Sequence, residues 1–216
     1  MKNLLILSSV LLLLLSFSCN KDDDPIEETI SAGVYDHNFY YHKLNPVFDL
    51  NPVLENGKIC YNAADSLMLV FGADSAWLHL KLKYVNPDSL KDINQSDTFI
   101  LQLLSIRANG DFLFGKNKRS YYAGLGMNAT LSFVTDYRNN EPIGGQGQEF
   151  FSGYKWQNMW EKPAPPPDLT HYDGGNWFKD NFTAYIGFKY KGRLGWIEVE
   201  MTDAYSPRII SYALEK

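Results

Sequence analysis

The chain has 216 residues, with 25 acidic and 20 basic side chains for a formal net charge of −5, and 45% of its residues are hydrophobic. That length supports one large β domain, or a pair of small ones, with a sizeable core. The acidic excess leaves no basic stripe to neutralise phosphates, which excludes DNA and RNA as partners.

In chain order the first element is an apolar run from Leu4 to Phe17, preceded by Lys2 and followed by Ser18 and Cys19. One positive charge, an apolar core and a small residue before the cysteine make a secretory signal. A spanning helix needs about 20 apolar residues to cross roughly 30 Å of hydrocarbon. The run is shorter and contains Ser8, Ser9 and Ser16, so cleavage is expected rather than retention. The segment resembles a lipoprotein signal, which implies cleavage before Cys19 and a diacylglycerol on its thiol. The chain is then tied to a membrane through Cys19. Phe17 departs from the small residue usual two places before the cysteine. Lys21-Asp22-Asp23-Asp24 resembles the export signal that sends lipoproteins of Bacteroidota to the outer face of the outer membrane, and as plain charge it is also a solvated acidic spacer. Removing 18 residues takes away one charge, Lys2, and leaves 198 residues with 19 basic and 25 acidic side chains, or −6. The expected organisation is a signal over 1–18, a flexible acidic tether over 19–32 and one β-sandwich domain over 33–216.

Lipidation of Cys19 leaves Cys60 alone, so no internal disulfide forms. Cys60 lies in the apolar, alternating stretch Lys58-Ile59-Cys60-Tyr61, which suits a small buried hydrophobe. Beyond Gly33, period-two segments alternate with Asn, Asp, Gly and Pro clusters, the pattern of strands and turns. Strands are predicted at Phe39 to Lys43, Ser66 to Phe71, Trp77 to Lys83, Thr98 to Ile106, Phe112 to Phe114 and Ala129 to Thr135. Trp77 to Lys83 is the clearest, with Leu78, Leu80 and Leu82 on one face and His79, Lys81 and Lys83 on a wet one. Turns are expected at Val85 to Asp88 and at Arg107 to Asp111, with room for a short helix over Pro87 to Asn94. The chain closes as a three-stranded antiparallel meander: Phe182 to Tyr190, Leu194 to Thr202 and Arg208 to Leu214. In its middle strand Ile197, Val199 and Met201 face inward, and Trp196 shares a wet outer face with Glu198 and Glu200. Together these segments predict an all-β fold, a single antiparallel β-sandwich of jelly-roll or Greek-key type with little helix.

The closing strands, Ala184-Tyr185-Ile186-Gly187-Phe188-Lys189-Tyr190, Leu194-Gly195-Trp196-Ile197-Glu198-Val199 and Ile210-Ser211-Tyr212-Ala213-Leu214-Glu215, resemble those of a family of secreted bacterial β-sandwich proteins. The resemblance covers roughly the last fifth of the chain and implies fold and secretion, with no activity to transfer. Many members carry an Asp-rich loop in the first half; Asn62-Ala63-Ala64-Asp65-Ser66 stands near that place here, so no calcium site is carried over.

No metal site is expected, because none of the four histidines has a ligating spacing and no HExxH, CxxC or dense Asp/Asn loop occurs. His37 and His42, five apart, fall on opposite faces of a strand. Gly144-Gly145-Gln146-Gly147 lacks the Lys and Ser/Thr of a phosphate loop and reads as a flexible loop. The triplets at Asn94, Asn128 and Asn181 are chance matches to a glycosylation pattern, and Pro163-Ala164-Pro165-Pro166-Pro167 is a stiff spacer. No cofactor is expected. Glu198 and Glu200 are about 7 Å apart on one strand face, within the range of glycosidase carboxyl pairs, but a solvated polar face explains them as well, and no catalytic residue is assigned. The densest aromatic region holds Tyr154, Trp156, Trp160, Tyr172 and Trp177, in a Gly/Pro/Asn-rich stretch without strand alternation. Trp and Tyr offer flat apolar faces with polar edges, suited to sugar rings, while burial statistics favour rings that pin a long loop to the sheet. The expected role is a non-catalytic cell-surface binding module for a glycan or a surface protein; the alternatives are an accessory part of an envelope complex and a glycoside hydrolase.

Overall fold

A computed structural model describes residues 28–50, 53–55, 58–60, 62–84, 100–123, 127–163, 177, 181–202 and 206–216. Its strands are β1 (Thr29–Ser31), β2 (Phe39–Asp49), β3 (Val53–Glu55), β4 (Lys58–Cys60), β5 (Asn62–Phe71), β6 (Asp74–Tyr84), β7 (Ile100–Ala108), β8 (Phe112–Ala123), β9 (Met127–Val134), β10 (Pro142–Gly144), β11 (Phe150–Ser152), β12 (Gln157–Pro163), β13 (Phe182–Tyr190), β14 (Arg193–Met201) and β15 (Pro207–Glu215). Among the described residues there is no helix. The expected helix over Pro87 to Asn94 lies outside the described residues, as do Cys19, Tyr172 and the centre of the proline run.

Two sheets carry the architecture. One has seven strands, in the order β11-β8-β13-β14-β15-β2 with β9 beside β8; the other has four, in the order β12-β7-β6-β5. Every strand pairing in both is antiparallel. The chain is all-β, and its sheets pack face to face as a β-sandwich.

The alternation in the sequence builds that interface directly. Successive side chains of a strand point to opposite faces, so Leu78, Leu80 and Leu82 of β6 face the core. There they meet Leu104 and Ile106 of β7 and Ile186, Phe188, Ile197 and Val199 of the opposite sheet. Phe71 crosses between the layers, with its ring 6.0 Å from Phe188 and 5.4 Å, edge-on, from Tyr212. Two tyrosine hydroxyls stitch the sheets as well: Tyr190 donates to the Ser75 carbonyl at 3.0 Å, and Tyr212 accepts from the Val70 amide at 3.0 Å. One residue of β15 breaks the strict period. Ile197 faces Tyr212 and Val199 faces Ile209, so β15 holds one residue more than β14 between the two pairs. This bulge lets Ile209 and Tyr212, three apart, both face inward while Ser211 turns outward.

The β13–β14 and β5–β6 hairpins close with two-residue turns. Lys191 and Gly192 have φ of 52° and 83°, and Gly72 has φ of 64°, the left-handed values that the twist of tight hairpins demands. An ion-pair cluster ties the two turns together. Asp74 receives Lys191 Nζ at 2.5 Å and Arg193 Nη2 at 2.8 Å. The hydrogen bond from Lys191 holds the Asp74 carboxyl below its ordinary value and raises the lysine. A carboxyl depressed in the folded state adds stability above its unfolded pKa and loses it as pH falls through the folded value. The stability gap between the native chain and Asp74→Asn should therefore be constant at neutral pH and close below about pH 4. Urea melts of the two proteins across pH 2–7 measure it; a gap unchanged in acid would assign the cluster no role.

Around Trp196 the outer face of the seven-stranded sheet is covered rather than wet, which corrects the expectation for that residue. Tyr185, Leu194, Trp196 and Ala213 form a second core with Ile30, Ala32, Tyr137 and Ile143. The cover is made by β1 paired with β10, by Tyr137, which exchanges both backbone hydrogen bonds with Tyr185 at 2.9 Å, and by Tyr35, whose ring stacks on Tyr41 of β2 at 3.7 Å. The chain has thus entered the fold by Thr29, ahead of the expected boundary at 33. Gly144, expected in a flexible loop, ends β10. Tyr137 lies across Gly115 and Gly187, where a Cβ would come within 2.5 and 2.6 Å of its ring atoms and hydroxyl.

Candidate functional site

The four-stranded sheet turns its other face outward. Register puts Met68 opposite Trp77, Ser66 opposite His79 and Ala64 opposite Lys81 across β5 and β6, and His79 opposite Arg107 and Lys81 opposite Ser105 across β6 and β7. These positions have the opposite parity to the buried leucines. Met68 and Trp77, directly paired, are each nearly half exposed, at 46% and 45%. Large apolar side chains standing together in water are unusual enough to need a reason.

Trp156, just before β12, completes this surface. The residue is 38% exposed. The Arg107 guanidinium lies 4.8 Å from the ring centroid and the Lys81 ammonium 5.9 Å away, within cation–π range. Tyr154, in the turn ahead of it, is 74% exposed. His79 Nδ1 and Ser66 Oγ are 2.6 Å apart. Burial, then the neighbouring Arg107 charge, lowers the His79 pKa, so this imidazole stays neutral at neutral pH.

The predicted aromatic residues are therefore divided. Tyr154 and Trp156 stand on the outer face. Trp160 is not in a loop as expected but in β12, paired with Leu104 past a register shift that accommodates Met159. Trp177 is fully buried, at 0% exposure, and its Nε1 donates to the Val134 carbonyl at 2.9 Å. Trp177 is a core residue and cannot offer its ring to a ligand. Tyr172 lies outside the described residues. Arg107 and Lys81 over Trp156, and the exposed Met68–Trp77 pair on the same sheet face, do not follow from the aromatic cluster in the sequence. Trp77 shares the parity of His79 and Lys81 in the sequence, and Arg107, expected in a turn, is instead part of β7, which runs to Ala108.

Glu198 and Glu200 are both engaged across β14 and β15. Glu198 accepts from Ser211 Oγ at 2.5 Å, and Glu200 pairs with Arg208 Nη1 at 2.7 Å. Two open depressions flank the seven-stranded sheet. The one of about 510 Å³ is lined by Glu28, Tyr35, Arg193 and Glu215 among others, and the one of about 550 Å³ by Lys116, Glu141, Gln148 and Glu149 among others. Their polar groups serve the fold: Glu215 accepts from the Leu194 amide, Glu141 from the Arg138 amide and Gln148 from the Gly144 amide, and Lys116 pairs with Glu149. Among the described residues, no group of three or more His, Cys, Asp or Glu side chains is placed to hold a metal ion. In comparisons with known proteins, the chain matches no family model, no curated protein and no solved structure.

Proposed function

We propose that this protein is a surface lipoprotein whose β-sandwich binds carbohydrate on the outer face of its four-stranded sheet. The observation that carries the reading is the exposure of Trp77 and Trp156 on one rigid face, flanked by hydrogen-bonding groups of Ser66, His79 and Arg107. An indole stacks on the CH face of a sugar ring and loses little entropy in doing so, because the sheet already holds it in place. Neighbouring donors and acceptors meet the hydroxyls.

Replacing Trp156 with Ala should abolish retardation of the protein in affinity gels cast with polysaccharides. It should change folding stability by less than about 1 kcal/mol, the scale of an exposed cation–π contact. Retardation unchanged by both Trp156→Ala and Trp77→Ala would overturn the site. A reproducible cross-linked protein partner without carbohydrate binding would turn the reading to an accessory role in an envelope complex.

Anchoring rests on the residues around Cys19. Cells fed labelled palmitate should label the native chain and not Cys19→Ala, and the variant should leave the membrane fraction on detergent-free washing. Label retained in the variant would remove Cys19 as the anchor.

A further inference from the structure

Of the four arginines whose side chains are described, Arg138, Arg193 and Arg208 each meet a carboxylate, at 3.6, 2.8 and 2.7 Å. Arg107 does not. Among the described residues neither Arg107 nor Lys81 has a carboxylate within ion-pair distance, although acidic side chains outnumber basic ones by 25 to 20 in the chain. The two cations instead lie over the same indole. The described side chains of this face on β5, β6 and β7 are otherwise uncharged at neutral pH, among them Ser66, Met68, Trp77, Ser105 and His79.

We propose that this face selects an acidic polysaccharide. A sugar ring packs on the exposed part of the Trp156 indole, and its carboxylate, or a sulfate in the same place, takes the Arg107 guanidinium and the Lys81 ammonium. The inference rests on the carbohydrate reading above and names its ligand class. Contact with the Trp156 ring restrains the Arg107 guanidinium, so its fork meets a planar carboxylate with less ordering left to do. Lys81, a point charge on a flexible stem, adds attraction without that geometry. Neutral His79, opposite Arg107 on β6, contributes hydrogen bonding rather than repulsion toward the two cations. Trp156 stands just before β12, Arg107 on β7 and Lys81 on β6, neighbours in one sheet, so a ligand chain lying across these three strands reaches both the platform and the charges.

The test is calorimetric titration of the full chain in non-ionic detergent with four polymers: polygalacturonate, its methyl-esterified form, a sulfated glucan and the unsulfated glucan. Polyglutamate serves as an acidic polymer without sugar. The expected result is binding of an acidic polysaccharide at least about tenfold tighter than its neutral counterpart and weakened by added salt. Whichever acidic polymer shows it tells carboxylate from sulfate. Arg107→Gln should erase the preference, Trp156→Ala should remove most of the affinity for acidic and neutral polymers both, and Lys43→Gln, a charge removed from the other sheet, should change neither affinity nor preference. Equal affinity for acidic and neutral polysaccharides would overturn the acidic selection and leave carbohydrate binding standing. No affinity for any polysaccharide would overturn both. Polyglutamate bound as tightly, and indifferent to Trp156→Ala, would make the face a general anion patch and overturn the proposal.

Discussion

Trp177→Ala is expected to destabilise the protein by about 3–5 kcal/mol, the cost of emptying a buried aromatic site that its surroundings refill only in part. For a chain of this size that lowers the melting temperature by about 6–20 °C. Two effects combine. The ring is entirely buried in the main core, 5.9 Å from the Phe182 ring, so its removal leaves a void between the sheets. Its Nε1 also satisfies the Val134 carbonyl, and a buried acceptor left without a donor adds to the loss. Calorimetric melts of Trp177→Ala and Trp156→Ala side by side make the comparison. The core assignment of Trp177 requires a large shift for the first and a small one for the second; the reverse order would exchange their roles.

Trp196→Ala should cost a similar amount for a different reason, and with a local signature. Trp196 is 1% exposed. It packs edge-on to Tyr185 at 5.4 Å, lies 6.2 and 6.1 Å from the stacked Tyr35 and Tyr41 rings, and donates from Nε1 to the Val34 carbonyl at 3.0 Å. It is one of the contacts, with Tyr185, Leu194 and Tyr41, through which the segment from β1 to Tyr35 lies on the seven-stranded sheet. Its removal should raise hydrogen exchange at Ile30, Ala32 and Val34 more than at Leu80 and Ile106 in the main core, because the cover can open while the sandwich stays closed. Equal acceleration in both places would mean that the second core has no stability of its own.

Those two residues show how far periodicity reaches. The parity of β14 was legible: Ile197, Val199 and Met201 face one way, and Trp196, Glu198 and Glu200 the other. What lies over the second face was not, because alternation is a property of one strand and burial is a property of its surroundings. Ile30 and Ile143 lie 113 residues apart, and only the pairing of β1 with β10 brings them together over Trp196. The wetness of the two ends of β14 also differs along one face, since Glu200 and Arg208 pair beyond the edge of the cover.

The same limit governs the candidate site. Trp156 and Tyr154 could be singled out by composition, but Arg107 and Lys81 are far from them in sequence and reach the indole only because β12, β7 and β6 are neighbours. Trp177 had an equal claim by residue type, and it fell to the core because its ring fills the space beside Val134 and Phe182. Residue chemistry alone does not distinguish a tryptophan that fills a core from one that faces water.

By itself the sequence determined the all-β class, the inward leucines of β6 and the closing meander, because each follows from side chains alternating along a single strand. Tertiary structure decided, among the described residues, which outer face is covered and which is open, which tryptophans are core and which are surface, and which cations stand without a carboxylate. Those outcomes depend on strands distant in the chain meeting in one sheet or lying over it, and register, unlike periodicity, is set by the whole fold.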